Sequence, residues 1–227
     1  MTRFYSNFIF LLIVAFYCNY SINAQYINIK ENSDLLDKQV KEFYITADNI
    51  HLILLKISNE LNVPIGFEKS FKDDLLEDST IIIEIKNGTL KDVLDAVIKQ
   101  KNIYEWKLKD NVINVSPIIG YRDSVIQQIL ETTVEKFSIT KGTSRYNVRS
   151  DLGILPQISE ILVDNDITFK NQAFGSRDIS VLGKNFSLEL ENISFESILN
   201  KIIKESETKY WIINRFGENK NFLLINF

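Results

Sequence analysis

Beyond residue 42 the chain switches repeatedly between two apolar periods, one of two residues and one of about 3.6. Phe43-Tyr44-Ile45 opens as a short strand. Asp48 or Asn49 then stands where a side-chain oxygen can accept from the first unsatisfied N–H groups of a helix. Ile50, Ile53, Leu54, Ile57 and Leu61 recur at helical spacing and define one apolar face. Pro64 is expected to end that helix, and Ile65-Gly66-Phe67 gives a second strand. The charged run Lys69–Ser79 reads as a surface loop. Alternation returns at Thr80–Lys86, with Ile81, Ile83 and Ile85 on one side and a turn expected at Asn87-Gly88. Thr89, with Asp92 three residues on, has the arrangement of a capping box, and Leu90, Val93, Leu94, Val97 and Ile98 make the next helical face. Tyr104–Leu108 and Val112–Val115 form a hairpin across Lys109-Asp110-Asn111, whose Asp and Asn tolerate turn conformations.

Ser116-Pro117 closes this first unit, since proline stops both ladder and helix. Residues 117–133 read as a connecting segment, helical from Asp123 to Leu130, and Val134–Ile139 is a further strand. A shift of 105 residues then brings two stretches into line without a gap. Ile83-Glu-Ile-Lys-Asn-Gly-Thr-Leu-Lys-Asp-Val-Leu94 falls on Leu188-Glu-Leu-Glu-Asn-Ile-Ser-Phe-Glu-Ser-Ile-Leu199, and Trp106 falls on Trp211. Six of the 24 aligned positions are identical, and five more keep apolar against apolar. The turn Asn (Asn87, Asn192), the hydroxyl cap (Thr89, Ser194) and the strand Trp keep their roles. The first helices match more faintly, Ile53-Leu54-x-x-Ile57-Ser58 with Ile154-Leu155-x-x-Ile158-Ser159, and Pro156 suits a first helical turn. Repetition at one spacing implies two related units, 43–116 and 134–227, the second ending in a longer hairpin around Phe216–Lys220. The expected fold class is therefore α+β: two small βαβ-type modules in tandem, each with helices packed on a short mixed sheet.

The N-terminus changes the picture of where such a protein works. Arg3, the apolar run Phe8–Tyr17 and Ser21-Ile22-Asn23-Ala24 form the three parts of a secretory signal peptide over residues 1–24, with cleavage expected after Ala24. The apolar run is too short for a good membrane span, which needs about 20 residues. Cys18, preceded by bulky Phe16 and Tyr17, is read as part of the discarded peptide and not as a lipidation site. It is the only cysteine, so the mature chain has no disulfide and must rely on a packed core. Residues 25–42 read as a loosely ordered lead-in. With 25 basic and 30 acidic side chains, the mature chain carries a net charge of −5, which gives no electrostatic footprint for nucleic acid.

Candidate chemistry is sparse. His51 is the single histidine, expected on or near the first helix surface, and no HExxH, CxxC, nucleophile elbow or Gly-rich phosphate loop is present. The adjacent acids Asp73-Asp74 and Glu77-Asp78 read as a solvated face, without the Gly-centred pattern of a calcium loop. Trp106 and Trp211 sit at matched strand positions, which points to sheet packing more than to sugar stacking. Asn87 and Asn192 begin glycosylation sequons that their turn roles already explain. No catalytic, cofactor-binding or metal-ligating residue is assigned, and no cofactor is expected.

The run Ile83–Leu94, followed by Tyr104-Glu-Trp106 and the Asp110–Val115 hairpin, resembles the secretin and TonB short N-terminal domain. That resemblance covers 43–116 and the later half of the second unit. It implies two βαβ halves in a small α+β domain that docks other proteins in the bacterial envelope. Members of that family precede a barrel or ring-forming region, whereas this sequence closes at Phe227, which suggests a stand-alone protein. The apolar close Phe222–Phe227 is read as the last strand of the second unit, not as a barrel assembly signal. The expected function is thus a non-enzymatic, exported protein–protein interaction module, periplasmic or secreted, with an envelope protein as partner and no nucleic acid. The alternative is an envelope hydrolase acting on glycans through paired carboxylates, with those acids facing across a cleft between the units. A third reading is a subunit of a secretin-like ring.

Overall fold

The computed structural model describes residues 35–70, 72, 80–171, 182 and 186–227. The expected signal peptide, the first part of the lead-in, and the paired acids Asp73-Asp74 and Glu77-Asp78 lie outside the described residues. The protein is α+β, and its first unit follows the expected order with corrected bounds. Strand β1 runs from Gln39 to Ala47, so the later part of the lead-in is structured: a short 3-10 turn at Leu35–Asp37 leads directly into the strand. The Lys38 carbonyl accepts from Leu90 N at 2.9 Å, and Val40 pairs with Gly88, which fixes this start. Helix α1 (Ile50–Leu61) is capped by Asn49, which accepts from Leu52 N at 3.0 Å. Its five expected apolar residues are all buried. It ends before Pro64, because Asn62 turns left-handed at φ 46° and breaks the helical path.

Strand β2 (Ile65–Glu68) follows, then β3 (Ile81–Thr89), antiparallel to β1. The turn expected at Asn87-Gly88 does not form. Both residues lie within β3, because Gly88 and Thr89 still pair with Val40 and Gln39, and Asn87 supplies a left-handed φ of 54° inside the strand. Helix α2 (Leu90–Gln100) carries the expected capping box, with Thr89 N donating to Asp92 Oδ2 at 2.7 Å and Asp92 N donating back to Thr89 Oγ1. Strands β4 (Tyr104–Lys109) and β5 (Val112–Pro117) make the hairpin, whose two turn residues Asp110 and Asn111 both have positive φ.

In the connecting segment, α3 (Ser124–Glu131) is capped by Asp123 and packs into the second core through Val125, Ile126, Ile129 and Leu130. Strand β6 (Thr133–Ile139) then precedes two helices where the first unit has one: α4 (Arg145–Gly153) and α5 (Pro156–Asp164), with Pro156 in the first turn of α5. Strands β7 (Thr168–Phe169) and β8 (Leu188–Ser194), helix α6 (Phe195–Glu205), and the hairpin β9 (Tyr210–Phe216) and β10 (Phe222–Asn226) complete the unit. Phe222–Asn226 is therefore its last strand, paired with β9.

The repeat reaches down to single atoms. Asn87 and Asn192 share a left-handed backbone, at φ 54° and 50°. Thr89 and Ser194 both cap the helix that follows. Trp106 Nε1 donates to Asp95 Oδ1 at 3.0 Å, and Trp211 Nε1 donates to Asn200 Oδ1 at 2.9 Å, the same pair of positions 105 residues on. The first strands also correspond: Val40, Phe43 and Ile45 are buried in β1, as are Val134, Phe137 and Ile139 in β6. Removing either hydroxyl cap, by Thr89→Ala or Ser194→Ala, is expected to lower the unfolding free energy by about 1 kcal/mol. A urea melt with a lower midpoint and unchanged slope would show it.

Each unit contributes half of one larger sheet, which the tandem pattern did not foretell. The strand order is β4-β5-β2-β9-β10-β7, and the join is a parallel pairing of β2 with β9. Order within the halves is conserved, but strand direction is inverted. The face is inverted as well. Ile65, Phe67, Ile113 and Val115 point into the first core, while Trp211, Ile213, Leu223 and Ile225 point into the second, on the opposite side of the sheet. The units are thus related by a half-turn about the hydrogen-bonding direction combined with a step of three strands, roughly 14 Å. Among the described residues, no helix is long and apolar enough to cross a membrane.

Candidate functional site

Among the described residues, the join between the halves gathers buried polar groups that include Ser58, Glu68, Asp123, Glu196 and Asn200. Its centre is Gly66 in β2, directly opposite Trp211 in β9. A Cβ at residue 66 would lie 2.2 Å from Trp211 Cε2, so only glycine lets the indole lie across the neighbouring strand. Trp211 is 1% exposed and held by Asn200, while Tyr210, next to it, points through the sheet into the first core. In return, Val112 of the first unit is buried in the second core.

On the face toward the second core lies a balanced set of charges. Arg122 Nη2 donates to Glu68 Oε2 at 2.9 Å, and Glu68 is 1% exposed. Arg215 Nη1 donates to both carboxylate oxygens of Asp123 at 3.0 Å, and Lys109 pairs with Glu196 on α6. Three carboxylates and three cations, drawn from both units and from the segment between them, neutralise one another. Burial raises the Glu68 carboxyl above its ordinary range; the Arg122 guanidinium opposes that shift, and Glu196 and Asp123 add to it. Asp123 also caps α3, accepting from Val125 N at 2.9 Å and Ile126 N at 3.2 Å.

On the other face a cleft of about 580 Å³ opens where α1 meets the start of β9, lined by residues that include His51, Ser58, Asn59, Arg145, Glu207 and Tyr210. The position of His51 near the helix surface is as expected, but its reach is not. His51 Nδ1 and Tyr210 Oη share a hydrogen bond of 2.9 Å across the units, and the imidazole stacks at 12° on Phe67 with ring centroids 6.3 Å apart. Burial lowers the His51 pKa, with Lys69 adding to the effect, while burial holds Tyr210 as a phenol well above its ordinary range. Ser58 is fully buried, and its one hydroxyl proton lies between the carbonyls of Val63 at 2.9 Å and Lys209 at 2.7 Å. It is bound to backbone, not activated by His51. Among the described residues, Glu207 is the one side-chain carboxylate lining this cleft, and they do not present two acids to each other there.

Because His51 is the only histidine and its folded pKa lies below the ordinary 6.5, the folded protein resists protonation there. Its contribution to stability is complete above pH 6.5 and is lost as pH falls through and below that value. The expected result is a urea midpoint that drops from pH 7.5 to 5.5 more in the native protein than in His51→Gln. Glu68, whose raised pKa acts in the opposite sense, is common to both chains and cancels in that comparison.

Among the described residues, no group of three or more His, Cys, Asp or Glu could hold a metal ion. Trp106 and Trp211 both serve the sheet, each tied to its own helix, in keeping with their matched positions. The join itself was missed from the sequence. Gly66 reads in the sequence only as the middle of a short strand, and its signal was a glycine inside a strand, which marks a close approach by a neighbour. Comparison of the chain with protein-family models, with curated proteins and with solved structures returns no match.

Proposed function

We propose that the chain is a non-enzymatic, exported docking module of the bacterial cell envelope, built from two units similar to the secretin and TonB short N-terminal domain. The observation that carries this reading is the β2–β9 pairing, because it is an instance of one such unit binding another through sheet edges. Backbone hydrogen bonds give such a contact its strength, and side chains on the flanking strands give it selectivity. The outer edges of β4 and β7 pair with no other strand among the described residues, which leaves the same mode available to a partner. The groups that would otherwise suggest catalysis are engaged in joining the units: His51 with Tyr210, Ser58 with two carbonyls, and the acids with arginines and lysine. The N-terminal segment read as an export signal supports a place outside the cytoplasm.

The test is photo-crosslinking in intact cells from Leu108 on β4, with Ile154 as a control on the second unit, both being exposed. The expected result is one discrete adduct from residue 108 and a recovered chain that begins at Gln25. A protein retained in the cytoplasm with Met1 in place, or one that yields no adduct from any exposed position, overturns the reading.

A further inference from the structure

We propose that the lane beside β4 receives an extended segment of a partner protein, parallel to β4, with a glycine opposite Trp106 and opposite charges on either side of that glycine. This inference rests on the docking reading above and gives it a site and a sequence class. Under the half-turn that relates the units, β4 corresponds to β9, and β9 is the strand whose outer edge holds β2. The internal contact is therefore a template for what β4 accepts.

The template is specific in three respects. First, β2 runs parallel to β9, so an occupant of the β4 lane runs parallel to β4. Second, Trp211 is fixed by Asn200 and lies over Gly66, where no Cβ fits. Trp106 is fixed by Asp95 through the matching bond, which sets its indole over the equivalent lane and demands a glycine there. Third, the neighbours differ. Beside Trp211, the lane is flanked by Tyr210 and Ile212, which suit the apolar Ile65 and Phe67. Beside Trp106 the same two places are Glu105 and Lys107, both exposed. A matching segment therefore carries a basic residue opposite Glu105, glycine opposite Trp106, an acidic residue opposite Lys107 and an apolar residue opposite Leu108.

The probe is a seven-residue peptide, Thr-Val-Lys-Gly-Glu-Val-Thr, titrated into the full mature chain while amide and indole N–H signals are followed by NMR. The expected result is saturable shifts confined to Tyr104–Lys109 and the Trp106 indole. Replacing the peptide's glycine with valine is expected to weaken binding at least ten-fold, and exchanging its Lys and Glu to weaken it several-fold. Equal binding of the glycine and valine peptides overturns the proposal, as does an absence of shifts at β4. Shifts at β4 that grow with protein concentration alone also overturn it, by making a second copy of the chain the occupant. A peptide that fails while residue 108 still crosslinks a protein in cells rejects the glycine-centred sequence class and leaves the docking reading standing.

Discussion

Gly66→Ala is expected to destabilise the protein by about 3 kcal/mol, the upper end of what a single overpacked methyl costs. The added carbon would fall 2.2 Å from Trp211 Cε2 and 2.3 Å from Cζ2, well inside any real contact. The ring cannot swing aside cheaply, because Asn200 holds its Nε1 at 2.9 Å and the side chain is buried on the second core. The backbone of β2 cannot retreat either, since β5 pairs with its other edge. Relief therefore has to come at the β2–β9 ladder itself. Guanidinium unfolding should show either a lower midpoint or two resolved transitions as the halves separate. In a Trp211→Ala background, where the ring is gone, the same alanine is expected to cost almost nothing, a non-additivity that a double-mutant cycle reads directly. A Gly66→Ala midpoint equal to the native one would remove the indole from its place over β2.

Arg215→Met is the second large effect, also about 3 kcal/mol, because removing one member of a buried pair strands the other charge. Asp123 is 6% exposed, and Arg215 donates to both of its oxygens at 3.0 Å. Without the guanidinium, the carboxylate keeps only the two amides of α3 that it caps, and it sits near Glu68, whose own ionisation it already opposes. Asp123→Asn is expected to be nearly as costly, since it preserves a cap acceptor but leaves the half-buried Arg215 beside a neutral amide. The double variant should lose less than the two single losses added together. Chemical denaturation of the three variants at pH 7 decides it, and strict additivity would mean that the pair is not coupled.

The helices and strands of the first unit were legible because each is amphipathic on its own. Ile50, Ile53, Leu54, Ile57 and Leu61 need no distant partner to declare a helix, and the Thr89–Asp92 capping box is local by construction. The second unit hid α4 because its buried face includes Arg149, which donates to Asn226 Oδ1 at 2.8 Å, so the apolar period is interrupted where the packing is tightest. Asn87-Gly88 reads as a turn in isolation, yet pairing with β1 keeps it in a strand. The join lay beyond reach for a different reason. Glu68, Asp123, Glu196, Lys109, Arg122 and Arg215 are scattered over the chain, and each alone resembles a solvated side chain. Only the parallel register of β2 on β9 brings them together.

That register also dictates the order in which the molecule can be finished. Ser58 and Lys209, bonded across the join, are 151 residues apart in sequence. A chain synthesised from its N-terminus presents β1 to β5 long before β9 exists, so β2 spends that interval as a bare edge with glycine where the indole will lie. Closure of the six-stranded sheet is thus a late, non-local step, of the kind that slows folding and exposes unpaired strands to off-pathway contacts. Truncations lacking β9 should accordingly populate a sticky half-sheet and not a smaller soluble version of the protein. The last strands to emerge act as the stopper for the first.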